Sequence, residues 1–357
     1  MPNYSFEVDR HQLNQTRITD LPEPEPQSGQ AVIRVDQFAV TANNITYGIA
    51  GDLIGYWRFF PTERDWGRIP VWGKGTVTRA GETNLKDGDE FYGYYPMSSY
   101  LIAEPTNVST RGFVDGAEHR ATLPTVYNQY SLMNEANGFD REYDLHRMVY
   151  FPLFMTGYVL DDYLFDNEFF GATNIILSSA SSKTSISTAF QLRHREIKTT
   201  GLTSAKNREF VESLDLYSEV VTYDAVSSIN SSQKTSYIDM AGNRDILSQV
   251  HHHLGDQLVL SSGVGITHHD AREGADPATL PGARPTMFFA PNQIQKRSQE
   301  WGPEKFQSDL QSAWSDFVAS VDQWISINET SGQTELTNVY NTVLAGASPN
   351  QAYVVSP

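Results

Sequence analysis

The sequence predicts an α/β fold: a mostly β N-terminal part, then a doubly wound parallel sheet with helices on both faces. Three observations carry this. The first hundred residues hold short runs of β-branched and aromatic residues separated by Gly, Asn and Asp. From Phe151 onward, apolar runs of strand length alternate with segments of helical period. The chain has 357 residues, 39% of them hydrophobic, which is a globular composition and enough for two domains.

In order, QAVIRVDQFAV (30–40) sets Val32, Arg34 and Asp36 against Ile33 and Val35, the period of two of a strand. VWGKGTVTRAG (71–81), DEFYGYY (89–95) and SYLIAEP (99–105) continue a compact β-rich part with tight turns. Leu153, Phe154, Tyr158, Val159 and Tyr163 then recur at helical spacing and lead to Gly171. NIILSSASS (174–182) reads as a strand ending in small residues, with a helix through STAFQLRHR. IKTTGLTSAKN (197–207), EVVTYD (219–224), TSYIDMAG (235–242) and QLVLSSG (257–263) supply further strands, with helices around EFVESL and at RDILSQVHHHL. After Pro303, the stripe Phe306, Leu310, Trp314, Phe317, Val318, Val321 and Ile325 marks an amphipathic helix built for core packing. There is no internal repeat and no low-complexity tract.

Composition removes several kinds of chemistry. With no cysteine, the chain has no disulfide framework, thiolate zinc site, iron–sulfur cluster or cysteine nucleophile. A net charge of −17 repels phosphate backbones and anionic lipid, so neither nucleic acid nor membrane is an expected partner. No apolar run has the length of a membrane span and the N-terminus lacks the pattern of a signal peptide, so the expected compartment is cytoplasm. Only eight of the 26 basic residues are lysine, and an acidic, lysine-poor surface fits a saline habitat.

In an open parallel sheet, ligands bind beyond the carboxyl ends of the strands, and the first strand-to-helix turn receives phosphate. Here that turn is SSASSKTS (178–185). Its small residues let amides approach a pyrophosphate, the hydroxyls of Ser181, Ser182 and Thr184 can donate, and Lys183 adds charge. Neither G-x-G-x-x-G nor a P-loop is spelled out, and a serine-rich helix cap is the other reading of these residues. About 20 residues further on, where an adenosine ribose is read, GLTSAKN (201–207) offers Ser204, Lys206 and Asn207 instead of an acid. Donors and a cation suit a 2′-phosphate, so NADP is expected over NAD.

These segments resemble the medium-chain dehydrogenase/reductases. FPLFMTGYVLDDYLFDNEFFGATNIILSSASSKTSISTAFQL (151–192) is similar to that family's junction between a Pro- and Thr-containing helix, a strand and a Gly-rich turn. LKDGDEFYGYYPMSSYLIAEP (85–105) resembles its x-x-G-D-x-V-x-G segment, with Gly88, Asp89, Gly93, Tyr100 and Pro105 in register. YIDMAGN and LVLSSGVG look like its later cofactor-side strands, and NTVLAGASPNQAYVVSP like its closing helix and strand. The resemblance spans nearly the whole chain. It departs where Ser182, Lys183 and Ser185 replace glycines of the phosphate turn, and where the zinc-holding cysteines and histidines of alcohol dehydrogenases are missing.

The resemblance implies a GroES-like substrate domain over residues 1–150 with a return over 305–357, and a Rossmann NADP-binding domain over 151–304. It implies a zinc-independent, NADP-dependent oxidoreductase of the quinone oxidoreductase and enoyl reductase kind, a homodimer, moving hydride to or from a carbonyl, quinone or conjugated alkene of an apolar or aromatic small molecule. A non-redox or nucleotide-sensing protein on the same scaffold is the alternative. Its active cleft would lie between the domains, with Asn43, Asn44 and Tyr47 at nicotinamide or substrate and Tyr47 as proton donor. Tyr56, Trp57 and Arg58 would form an aromatic pocket with one anion-binding group, joined by Tyr127 and Asn128; a plain aromatic core is the other reading. Tyr223, Ala241, Gly242, Ser262, Val264 and Gly265 would take cofactor-side positions, and Phe289 and Pro291 would close over the nicotinamide. His251, His252 and His253 point in different directions from one helix end and are read as structural. His268, beside His269, is a further candidate for the cleft.

Overall fold

The structure is a computed structural model that describes residues 3–264 and 280–357. The chain divides into two compact units, Met1–Val149 with Ile325–Pro357, and Tyr150–Trp324. The sequence places the return from residue 305, but the helix Pro303–Val321 belongs to the second unit. The reason is its apolar stripe. Trp314 and Phe317 set their rings 5.3 and 4.9 Å from Phe154 on the helix Asp144–Asp166, so the chain leaves that unit only after the stripe is covered.

In the first unit, the strands expected at 30–40, 71–81, 89–95 and 99–105 appear as Ala31–Val40, Pro70–Arg79, Glu90–Pro96 and Tyr100–Ala103. They belong to a nine-stranded sheet whose far edge is completed by Ser326–Ser331 and Gln351–Ser356. Strict alternation fails at Val32 and Ile33, which are both buried, because the register shifts between them against Pro70–Arg79. A three-stranded sheet of Tyr4–Asp9, Thr16–Asp20 and Trp66–Gly67 stands beside it.

The second unit is a six-stranded sheet, parallel throughout, in the order Glu219–Thr222, Lys198–Thr203, Asn174–Leu177, Thr235–Asp239, Leu258–Val264, Pro285–Phe288. Strand order therefore reverses between Asn174–Leu177 and Thr235–Asp239, which is where such sheets bind ligands. Close packing brings the helices onto this point. A Cβ on Gly157 of Asp144–Asp166 would stand 2.8 Å from the Thr188 amide nitrogen, so only glycine lets that helix approach Lys183–Leu192 so nearly.

Candidate active site

The strand Asn174–Leu177 is fully buried and delivers Ser178 to the reversal point. The Ser178 hydroxyl donates to Asp239 Oδ1 at 2.9 Å, and its oxygen accepts from the amides of Met240 and Ala241 at 2.8 and 3.0 Å. Asp239 Oδ1 also accepts from the Ala241 and Gly242 amides and the Tyr237 hydroxyl. Ser178 and Asp239 thus tie two strand ends together. Sequence reasoning passed over both, although an acid closing a strand in YIDMAG was the available signal.

The turn itself is shaped by hydroxyls. Ser179 takes a left-handed φ of 47°, and its amide donates to the Tyr223 hydroxyl at 3.1 Å, so Tyr223 braces the turn. Ser182 caps the helix Lys183–Leu192 by accepting from the Ser185 amide at 3.2 Å, and Ser185 Oγ donates to the Ser178 carbonyl at 2.7 Å. The Ile186 amide donates to the Ser182 carbonyl. Among the described residues, the amides of Lys183 and Thr184 remain as the open positive end of the helix. Lys183 itself is half-buried, with Nζ 5.7 Å from the Tyr150 ring centroid, and desolvation lowers its pKa to about 8.

The second expected turn adjoins the first. Asn207 Nδ2 donates to Ser181 Oγ at 3.1 Å, half-buried Ser204 precedes the short helix Ala205–Asn207, and Lys206 is exposed within it. Ser262 is buried within Leu258–Val264, while Val264 at its end lies half-buried opposite Phe288. Phe289 is exposed, and Pro291 opens the helix Ala290–Glu300. Gly265, His268 and His269 lie outside the described residues. His251 is buried: Nδ1 donates to the Pro281 carbonyl at 2.9 Å, which leaves Nε2 to accept from the Ser261 hydroxyl at 2.8 Å. Burial lowers its pKa, and it packs as a neutral ring.

In the first unit the structure brings Asn43, Tyr47, Tyr56 and Tyr127 together. Asn43 Nδ2 donates to the Tyr47 hydroxyl at 2.6 Å, the Tyr47 and Tyr56 rings are 4.4 Å apart, and the hydroxyls of Tyr56 and Tyr127 lie 3.3 Å apart. Tyr94, Trp72 and Phe59 complete the cluster, with Tyr94 4.8 Å from Tyr127 and 5.8 Å from Tyr47. Sequence reasoning missed Tyr94 and Trp72 because they sit on strands and read as core. Burial pushes the phenols of Tyr47, Tyr56, Tyr94 and Tyr127 well up or up, so they remain protonated donors.

Other candidates fall elsewhere. Asn44 holds the helix Ala42–Ile49 in place: its amide donates to the Pro70 carbonyl at 2.8 Å and its oxygen accepts from the Thr41 amide at 2.7 Å. Trp57 is core, accommodated by Gly51 and Gly67, where any Cβ would run into the indole. Arg58 is exposed and donates to Thr122 Oγ1 at 2.7 Å. Asn128 is buried, and its amide donates to the Arg120 carbonyl at 3.4 Å. Among the described residues, no three His, Asp or Glu side chains gather to hold a metal ion, and no helix is long and apolar enough to cross a membrane.

The fold is that of the medium-chain dehydrogenase/reductases, a GroES-like unit with a Rossmann unit. Solved structures share it along their length: CurA from Vibrio vulnificus in complex with NADPH (TM-score 0.62, 11% identity, covering 96% of this chain and 94% of that one), the quinone oxidoreductase from Coxiella burnetii (TM-score 0.58, 13%, 100% of each), and zinc dependent alcohol dehydrogenase 2 from Streptococcus pneumonia (TM-score 0.60, 12%, 99% and 98%). No curated protein matches the chain. The chain belongs to the family described as "Protein of unknown function (DUF2855)", whose model matches residues 38–349.

Proposed function

We propose that this protein is a zinc-independent, NADP(H)-dependent oxidoreductase acting on a carbonyl, quinone or conjugated alkene of an apolar or aromatic small molecule. One observation carries the reading. At the point where strand order reverses, a hydroxyl-built turn presents the open amides of Lys183 and Thr184 and the Lys183 amine, and Asn207 joins it to a second turn bearing Ser204 and Lys206 without an acid. A pyrophosphate fits the first turn and a 2′-phosphate the second. An Asp or Glu at Ser204 or Lys206 would instead favour an unphosphorylated ribose.

When bound, the nicotinamide supplies the hydride. The chain's residues orient and polarise: Ser181 and Thr184 hold phosphate oxygens while Ser182 caps the helix that presents the amides, and Tyr47, braced by Asn43, donates a proton or hydrogen bond to the substrate oxygen. The absence of cysteine from the whole chain supports zinc independence. A homodimer is part of the same proposal. The outermost strand Pro285–Phe288 leaves an edge unpaired among the described residues, with Met287 within it 50% exposed and Phe289 just after it 55% exposed, a surface that a second copy would cover.

The test is thermal melting with NADPH, NADH and adenosine 2′,5′-bisphosphate. NADPH should raise the midpoint more than NADH, the bisphosphate should also raise it, and Lys206→Ala should abolish the preference. No shift with any nucleotide overturns the reading. A shift without turnover across a carbonyl and enone panel favours a nucleotide-sensing role instead.

A further inference from the structure

We propose that Tyr94 and Trp72, together with Tyr47, form a neutral donor site in the first unit that holds the oxygen of a planar conjugated carbonyl compound as negative charge develops on it. As a statement about substrate this rests on the oxidoreductase reading above. As a statement about binding it stands on the first unit alone.

The starting point is an excess of donors. Tyr94 is fully buried, yet its hydroxyl has no hydrogen-bond partner among the described residues, and the same holds for the buried indole Nε1 of Trp72. Buried N–H and O–H groups are almost always paired, so two orphans in one cluster need an explanation. Both approach the Tyr47 hydroxyl as weak donors, too long or too bent to count as formed hydrogen bonds. Tyr47 already accepts from Asn43 at 2.6 Å. Four donor groups therefore converge on one small region, and among the described residues the hydrogens of Tyr94 and Trp72 complete no bond to any of the phenol oxygens there.

What would satisfy them is an acceptor oxygen on a flat ligand. Trp72 and Tyr94 have ring centroids 5.1 Å apart, and both face Tyr127, at 6.0 and 4.8 Å. Tyr127 and Asn43 are half-buried and form the outer side of the cluster. Aromatic walls and uncharged donors suit an oxygen whose charge is delocalised, in contrast to a carboxylate or phosphate, which would call for a cation. The site is also held still. The Tyr130 hydroxyl donates to the Tyr94 carbonyl, Arg120 Nη1 donates to the Tyr130 hydroxyl at 3.3 Å, and Arg120 pairs with Asp115 at 3.0 Å with both side chains buried. Donors fixed in advance, in a dry surrounding, are what stabilises a developing oxyanion.

The probe is 4-nitrophenol, whose phenolate absorbs visibly, titrated with the full-length protein without nucleotide at a pH where the free dye is half ionised. The phenolate band should grow on binding, meaning that the bound dye ionises at lower pH than the free dye. Tyr94→Phe and Trp72→Phe should each weaken phenolate binding roughly tenfold or more, the usual effect of losing a hydrogen bond to a charged acceptor. An apolar pocket lacking such donors would shift ionisation the other way, and that result, absence of binding, or unchanged binding in both variants overturns the proposal. The melting profile of each variant, read by near-ultraviolet circular dichroism of the first unit's aromatic cluster, shows whether it is folded. In the unsubstituted protein, no dye response with an NADPH shift removes the donor site alone, and a dye response without an NADPH shift removes the cofactor reading and leaves the donor site standing.

Discussion

At Lys183 the chain puts an amine on the first residue of the helix Lys183–Leu192, and its protonation sets two opposite pH responses. Burial lowers its pKa to about 8 from an ordinary 10.5, so between these values the unfolded chain holds more protons than the folded one. Its contribution to stability therefore rises with pH across that window, because folding disfavours the charged form. Bound phosphate favours the charged form, so NADPH affinity should fall as pH rises through about 8 and the fall should vanish in Lys183→Met. A pH series of NADPH binding constants decides this, and a flat wild-type profile would remove Lys183 from the site. The residue types of this turn were legible in the sequence; how they work was not. The sequence offers Ser182 as a phosphate donor with a helix cap as the other reading, and the structure shows it capping while Ser185 braces the turn. Hydroxyl geometry of that kind depends on which groups lie across the turn, and Ser178 and Asp239, 61 positions apart, meet only after the chain between them folds.

Between elements, Gly157 fixes how near the helix Asp144–Asp166 comes to Lys183–Leu192, whose N-terminus is the proposed phosphate site. Gly157→Ala forces a Cβ to within 2.8 Å of Thr188 and 2.9 Å of Ser187 backbone atoms. Overpacking of this kind costs about 1–3 kcal/mol. The midpoint should drop by about 2–4 °C per kcal/mol in scanning calorimetry, with NADPH affinity falling too as the helix end shifts. An unchanged midpoint would mean that the two helices separate freely. The parallel strands are legible in the sequence because each is a short apolar run closed by a turn signal. The helix Ala42–Ile49 is not, as VTANNITYG shows no apolar stripe; the Thr41–Asn44 capping box and the bond to Pro70 hold it there. The sequence also assigns Trp57 to a pocket, since an indole destined for the core and one destined for a ligand look alike until Gly51 and Gly67 are found against it.

Over the whole molecule, 43 acidic residues against 26 basic ones leave a net −17 that repels itself at low salt. Raising sodium chloride from about 0.1 to 1 M shortens the screening length from about 10 to 3 Å. The melting midpoint should therefore rise across that range, and a constant midpoint would argue against a surface adapted to salt. The division of the chain has a different consequence, for the order in which the molecule can be made. The second unit is one uninterrupted stretch, whereas the first is closed by Gln351–Ser356, which lies between Ala31–Val40 and Ser326–Ser331 in its sheet. At a synthesis rate of roughly 5–20 residues per second, Ala31–Val40 waits on the order of 15–60 s for that neighbour. During translation the Rossmann unit can thus finish first, while the sheet that carries Trp72 and Tyr94 stands with an open strand edge, the interval in which a nascent chain is most exposed to mispairing and most in need of a chaperone.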